Sequence, residues 1–296
     1  HLAPDHTSLL GELIQRYTRM HVSEIKDGMV IQRNSVYIIP PNTDLSISHG
    51  RLQLMTPRVP QGIHLPIDHF FRSLAQEKGD AAIAIVLSGA GSDGTLGVRA
   101  VKEVGGMVMV QTPSTAEYDS MPTNAIATGL VDYVLPPEEM PTQLLVYVQH
   151  TGRHLTPEIV APSEPASNAL QRILQLLRAQ TRHDFTDYKQ NTILRRIERR
   201  MVVHQFENLA EYAQYLQKTP QEVATLFREL LIGVTRFFRD ADTFAALKVQ
   251  VIPRLFDGKS AGESIRVWVP GCSTGEEAFS LAMLLREYTA TRHGEI

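Results

Sequence analysis

The stretch Ala82-Ile83-Ala84-Ile85-Val86-Leu87-Ser88-Gly89-Ala90-Gly91-Ser92-Asp93-Gly94 decides the fold class. Its first six residues are apolar without interruption, as expected of a parallel strand buried on both faces. A glycine-rich turn follows, residues 95–104 suit a helix, and Gly105-Gly106 ends it. Residues 107–110 then read as a second strand, so the pattern is β-α-β and predicts an α/β domain with a parallel sheet.

Towards the N-terminus, residues 35–39 and 44–48 are short β-rich runs, and His49-Gly50 before 51–54 reads as a hairpin turn. Residues 67–75 have helical spacing, with Phe70, Phe71 and Leu74 on one stripe. Towards the C-terminus, residues 151–166 mix Pro157, Pro162 and Pro165 with Gly152 and Ser163 and read as a linker. Helical patterns follow at 169–177, 188–203, 209–216 and 220–231. A strand is expected again only at 265–269, leading into a second glycine turn and a helix. The domains expected are therefore 1–150, a linker at 151–167, an all-α domain at 168–245, and the start of another α/β domain at 246–296.

A length of 296 residues favours two domains, each large enough to bury a core. The formal net charge of -3 gives no reason to expect a nucleic-acid partner. No apolar run approaches the roughly 20 residues that cross a bilayer, and no signal-peptide pattern is present, so membrane insertion is not expected. The single cysteine, Cys272, excludes an internal disulfide framework and fits a reducing cytoplasm. The chain opens on His1 and stops soon after an apolar helical pattern, and both ends read as cuts in a longer protein.

Three motifs carry chemistry. Gly89-x-Gly91-x-x-Gly94 between strand and helix matches a dinucleotide-binding turn. That reading needs an acidic residue at the end of the next strand, where Gln111 stands, and Asp93 would put negative charge in the phosphate cradle. The same stretch also reads as a plain tight βα turn, or as a turn that presents Asp93 at the carboxyl end of a parallel strand. Gly271-Cys272-Ser273-Thr274-Gly275 is a Gly-x-Ser-x-Gly and suggests a nucleophile elbow, but an elbow serine precedes its acid and histidine, and only His293 follows. In the third motif, Ile193, Leu194, Ile197 and Met201 form an apolar stripe, with Lys189, Arg195, Arg196, Arg199 and Arg200 on the other faces. Such a face is solvated, locally paired, or a docking surface for carboxylates, which arginine's planar fork binds bidentately.

With its neighbours, Leu87-Ser88-Gly89-Ala90-Gly91-Ser92-Asp93-Gly94 resembles the signature of the chemotaxis protein-glutamate methylesterases of the CheB type. The resemblance extends over most of 1–148, through His1-Leu2-Ala3-Pro4, Tyr37-Ile38-Ile39-Pro40-Pro41, Gly105-Gly106, Gln111 and Met121-Pro122. It implies a Ser/His/Asp triad in which His1 and Asp93 are catalytic and the serine lies upstream of the chain. In such a triad the carboxylate sets the imidazole tautomer and the imidazole activates the serine for attack on an ester. Ala90 stands where the family commonly has methionine.

Residues 168–296 resemble the chemotaxis-receptor methyltransferases of the CheR type. Val267-Trp268-Val269-Pro270-Gly271-Cys272-Ser273-Thr274-Gly275-Glu276-Glu277 is similar to that family's first cofactor-binding loop. This implies S-adenosylmethionine as cofactor, with Gly271 and Gly275 admitting it and Glu277 pairing with its ammonium group. In Thr235-Arg236-Phe237-Phe238-Arg239 the family's cofactor contacts fall on Thr235 and Arg239, while Gly233 replaces a family asparagine. The basic helix, through Arg196, Arg199 and Arg200, is implied to bind the acidic substrate segment of a chemoreceptor's cytoplasmic helices.

The resulting expectation is a parallel-sheet methylesterase domain lacking its N-terminal part, an all-α domain, and the start of a Rossmann-like methyltransferase domain. No cofactor is expected for the esterase half, no metal for either, and little activity from this chain alone. The rival readings are a non-catalytic signalling scaffold that retains both folds, and a nucleotide-dependent oxidoreductase built on the Gly89 turn.

Overall fold

A computed structural model describes residues 9–56, 65–154, 164–233, 237–259, 263–272 and 275–293. The chain divides into two compact units, His1–Ile232 and Gly233–Ile296.

In the first unit, α1 (Leu10–Tyr17) precedes β1 (His21–Glu24), β2 (Met29–Val30), β3 (Ser35–Ile38), β4 (Asp44–Ser48) and β5 (Arg51–Met55). β1 pairs in parallel with β3, and β2-β5-β4 form an antiparallel sheet. The β4–β5 turn is the expected His49-Gly50, both at positive φ (50° and 71°), as a two-residue type I′ turn requires. Its two N–H groups donate to the Glu77 carboxylate at 3.0 and 2.8 Å, tying the hairpin to α2 (Pro66–Lys78).

The expected β-α-β unit follows. β6 (Ile83–Val86), β7 (Met107–Gln111) and β8 (Tyr133–Leu135) lie side by side, all parallel, joined by α3 (Thr95–Glu103) and α4 (Ser120–Ala127). All five residues of β7 are buried, because the sheet's central strand is covered on both faces. One layer packs Val98 and Val101 of α3 and Phe71 and Ala75 of α2 on Val108 and Val110. Gly97 permits the close approach of α2 and α3, since a Cβ there would lie 2.6 Å from the Cβ of Phe71.

α5 (Met140–His154) and α6 (Glu164–Thr181) extend into the stretch expected to be a linker, of which 155–163 lie outside the described residues. α7 (Gln190–His204), α8 (Leu209–Lys218) and α9 (Pro220–Leu230) complete the helical part at the expected positions. Its core joins Ile173 and Leu177 of α6, Ile193 and Ile197 of α7, Tyr212 and Leu216 of α8 and Leu226 of α9. α8 starts on Asn208, whose side chain accepts the Glu211 N–H at 2.9 Å, a helix N-cap.

The second unit begins at Gly233, so residues 233–245 group with it rather than with the all-α part. It holds α10 (Ala241–Ala246), a π-helical turn (Leu247–Val251), α11 (Ile252–Leu255) and α12 (Glu276–His293) around Phe244, Ile252 and Leu284. The strand expected at 265–269 is not formed among the described residues. A strand exists only through hydrogen bonds to a neighbour, and no described segment supplies one there, which leaves Trp268 88% exposed.

Candidate active and cofactor sites

Asp93 lies in the turn that carries the chain from β6 into α3. Gly91 and Gly94 flank it at φ 88° and 90°, values open to glycine and strained for other residues. The turn is clamped from the end of β7 and the segment after it. Ser88 donates its N–H to Gln111 Oε1 at 2.8 Å, Gly89 donates to the Tyr118 carbonyl at 2.9 Å, and Asn124 donates to the Gly91 carbonyl at 2.9 Å. A Cβ on Gly89 would strike Met121 Sδ. Gln111 is therefore a support of the turn rather than a failed ribose ligand.

The Asp93 carboxylate accepts three backbone N–H bonds. Oδ2 takes Ile67 at 3.0 Å, and Oδ1 takes Asp68 and Gly94, each at 2.9 Å. Ile67 and Asp68 belong to the first turn of α2, which has no side-chain cap of its own, so Asp93 caps that helix from a distant segment. Two carboxylate oxygens offer about four acceptor positions, of which three are filled among the described residues. The open one is on Oδ2, and it would accept an imidazole N–H. His1, the expected donor, lies outside the described residues.

Asp68, unforeseen in the sequence, is 3% exposed beside this carboxylate. Its Oδ1 accepts the Gly97 N–H at 2.6 Å, and its Oδ2 has no hydrogen-bond partner among the described residues. Burial, aided by the neighbouring Asp93, pushes the Asp68 carboxyl above its ordinary value despite the Gly97 bond.

In the second unit, Gly271 (φ 70°) and Gly275 (φ 106°) bracket the loop before α12, and Glu277 stands exposed in that helix's first turn. A Cβ on Gly275 would come within 2.9 Å of the Phe279 ring, so only glycine keeps this approach open. Ser280, fully buried, donates to the Glu276 carbonyl at 2.6 Å and accepts the Phe238 N–H at 2.9 Å. That bond brings the 237–239 stretch, with Arg239 exposed, against the start of α12, so two motifs 30 residues and more apart meet at one helix end. Thr235 lies outside the described residues.

Arg196, Arg199 and Arg200 of α7 do not stand on an open face. Arg196 donates from Nη1 and Nη2 to the carbonyls of Lys102 and Glu103, each at 2.9 Å, and so caps the C-terminus of α3. Arg199 donates to Tyr147 Oη at 2.9 Å and lies 3.7 Å from Asp132. Arg200, 3% exposed, binds Glu222 through Nε at 2.8 Å and Nη2 at 2.7 Å, and reaches Asp132 and Glu229 through Nη1 at 3.1 and 3.2 Å. Lys102, wholly buried, bridges Asp132 and Glu229 at 2.8 Å each. Three cations thus face three carboxylates in one buried cluster where the α/β part meets the helical part. Its cations hold the Asp132 carboxyl below its ordinary value against a large desolvation penalty. Burial likewise penalises the Glu222 carboxylate, but bonds from His204 and Arg200 outweigh it and bring that group to about 2. The spacing of the arginines was visible in the sequence. Their partners Lys102, Asp132 and Tyr147 lie 50 to 100 residues away and left no signal there.

Comparison with known proteins gives three consecutive family matches: CheB methylesterase over residues 1–144, the all-alpha domain of CheR methyltransferase over 168–231, and the SAM binding domain of CheR methyltransferase over 233–296. An uncharacterized 104.1 kDa protein of Rhodobacter capsulatus is 40% identical over 93% of this chain and 31% of its own length. A protein-glutamate methylesterase/protein-glutamine glutaminase of Myxococcus xanthus is 37% identical over 46% of this chain and 41% of its own. The chain thus spans less than half the length of these curated relatives. The crystal structure of the Thermotoga maritima CheB methylesterase catalytic domain aligns with a TM-score of 0.44 at 29% identity, over 49% of this chain and 79% of that one. Among the described residues no helix is long and apolar enough to cross a membrane.

Proposed function

Because the chain joins a CheB methylesterase domain to the all-α and cofactor-binding domains of a CheR methyltransferase, we propose that the whole protein runs both directions of receptor adaptation in the cytoplasm. One half esterifies glutamates on the cytoplasmic helices of a chemoreceptor and the other hydrolyses the esters. The observation that carries the esterase reading is the Asp93 carboxylate, held at the carboxyl end of β6 by three backbone N–H groups, with one acceptor position open among the described residues. In this reading His1 donates to that position, and Asp93 fixes the tautomer in which the imidazole's other nitrogen takes the proton of an upstream serine. The alkoxide attacks the ester carbonyl, methanol leaves, and water releases the glutamate. The name of the Myxococcus xanthus relative includes a glutaminase, and the same acyl chemistry would serve a side-chain amide.

For the transferase half, the loop fits S-adenosylmethionine in one respect that can be checked. A side chain at Gly275 would crowd Phe279, and the exposed Glu277 stands two residues on, in the helix's first turn. Gly271 and Gly275 would admit the cofactor to the backbone, Glu277 would pair with its ammonium group, and Thr235 and Arg239 would add polar contacts. Bound, it supplies a methyl group already activated by a sulfonium. Arg196 and Arg199 would dock the acidic receptor segment; the acceptor carboxylate is already ionised and needs no base, so positioning provides most of the rate.

The test uses the full-length protein, measuring methanol release from methylated receptor alongside cofactor binding by calorimetry. Asp93→Asn should lower methanol release by roughly 10⁴-fold and leave cofactor binding unchanged. Glu277→Gln should do the reverse. Receptor binding without either activity would establish the scaffold reading instead.

A further inference from the structure

The same face of α7 that the proposed function assigns to an acidic receptor helix is, in this structure, occupied by the methylesterase part. We propose that the two are mutually exclusive partners, so that the methylesterase face masks the docking helix until the two parts separate. The inference rests on the reading that α7 docks a glutamate-bearing helix, and three observations carry it further.

Arg196 and Arg199 are spent on the α/β part, on the α3 carbonyls of Lys102 and Glu103 and on the Tyr147 hydroxyl. A carboxylate can replace either set, because both are acceptors that a guanidinium binds through the same fork. Arg195, on the same helix, remains exposed and offers an acidic helix a first point of contact.

The buried cluster is also built to divide. Lys102 and Asp132 both belong to the α/β part and pair with each other at 2.8 Å. Arg200 and Glu222 both belong to the helical part and form a bidentate pair at 2.8 and 2.7 Å. Separation therefore leaves each side with an ion pair of its own, which avoids the penalty of an isolated buried charge. Arg200 stays with Glu222 in either state, so the side chains released to a partner are Arg196 and Arg199.

Finally, the contact is incompletely satisfied. The Nε and Nη2 groups of Arg199 and the Oε2 of Glu229 are buried without a hydrogen-bond partner among the described residues. Such groups gain water or a ligand when the interface opens, which lowers the cost of opening.

Apparent affinity for the acidic helix is then scaled by the fraction of open molecules, so loosening the interface should tighten binding. The double variant Tyr133→Phe/Tyr147→Phe removes the hydroxyl bonds to the Val203 carbonyl and to Arg199 without touching a basic side chain of α7. A fluorescein-labelled, glutamate-rich amphipathic peptide is titrated into the full-length protein and this variant. The expected result is roughly tenfold tighter binding to the variant. Adding the peptide to the unaltered protein should also speed amide hydrogen exchange in 132–135 and 140–147. Equal affinities with unchanged exchange would overturn the masking while leaving docking intact. Binding to neither protein would overturn the docking reading itself and the masking with it.

Discussion

Replacing Lys102 by methionine removes one of three cations from the buried cluster and leaves Asp132, Glu229 and Glu222 facing Arg199 and Arg200 alone. Methionine keeps most of the lysine's apolar stem, so lost packing contributes little and the change isolates the charge. Asp132 and Glu229 lose bonds of 2.8 Å at side-chain exposures of 0% and 2%, where water cannot compensate. Breaking a buried pair on one side costs about 3–5 kcal/mol. Against the roughly 5–15 kcal/mol that holds a domain folded, this is a large fraction, and with a urea slope of about 2–3 kcal/mol/M it shifts the midpoint down by about 1–2 M. The unfolding of the first unit is followed by far-UV circular dichroism or tyrosine signals. Tryptophan fluorescence is unsuitable, because Trp268 belongs to the other unit. Adding Glu229→Gln restores equal numbers of buried cations and carboxylates, so the double variant should be more stable than the sum of the single effects by at least about 1 kcal/mol. A Lys102→Met cost under about 1 kcal/mol, or additivity within about 0.5 kcal/mol, would refute the picture of a tightly coupled buried cluster.

The cluster also sets a pH dependence. Glu222 lies below its ordinary value, at about 2 in the folded state against 4.5. Its contribution is present above pH 4.5 and is lost as the pH falls from there towards 2, with a size on the order of 3 kcal/mol. Denaturant midpoints measured between neutral pH and pH 2 should fall across that window, and Glu222→Gln should flatten the fall. Gly97→Ala should destabilise by about 1–3 kcal/mol, since its Cβ meets Phe71 at 2.6 Å between α2 and α3, and thermal melting reads the change. Asp93→Ala should lower stability as well as esterase activity, because two first-turn N–H groups of α2 lose their acceptor, at about 1 kcal/mol or more. An Asp93→Ala protein that melts like the parent would show that this cap is dispensable.

The element types were legible where a local period or turn residue determines them. The uninterrupted apolar run of β6, the hairpin at His49-Gly50 and the amphipathic stripe of α7 are each written within a few residues, because backbone geometry and one-sided burial act over that range. The motif around Asp93 was legible as well, through glycines that only its positive-φ turn requires. Legibility ended where a residue's partner is remote in sequence. The basic face of α7 read as solvated, locally paired or a docking surface, and nothing in it named the remote groups by which Arg196 caps α3 and Arg200 is buried among Asp132, Glu222 and Glu229. The expected strand at 265–269 has the right composition, but a strand is a relation between segments and composition cannot supply the neighbour.

By itself, then, the sequence determined the βαβ unit, the all-α stretch, the glycine turns and the family likeness that names their chemistry. Only the tertiary structure decided that Asp93 caps α2, that Phe238 and Ser280 bring two distant motifs to one helix end, and that α7 turns Arg196, Arg199 and Arg200 inward. The physical reason is the same in each case. Hydrogen bonds and ion pairs are satisfied by whatever group folding brings within about 3 Å, and chain separation carries no record of that distance.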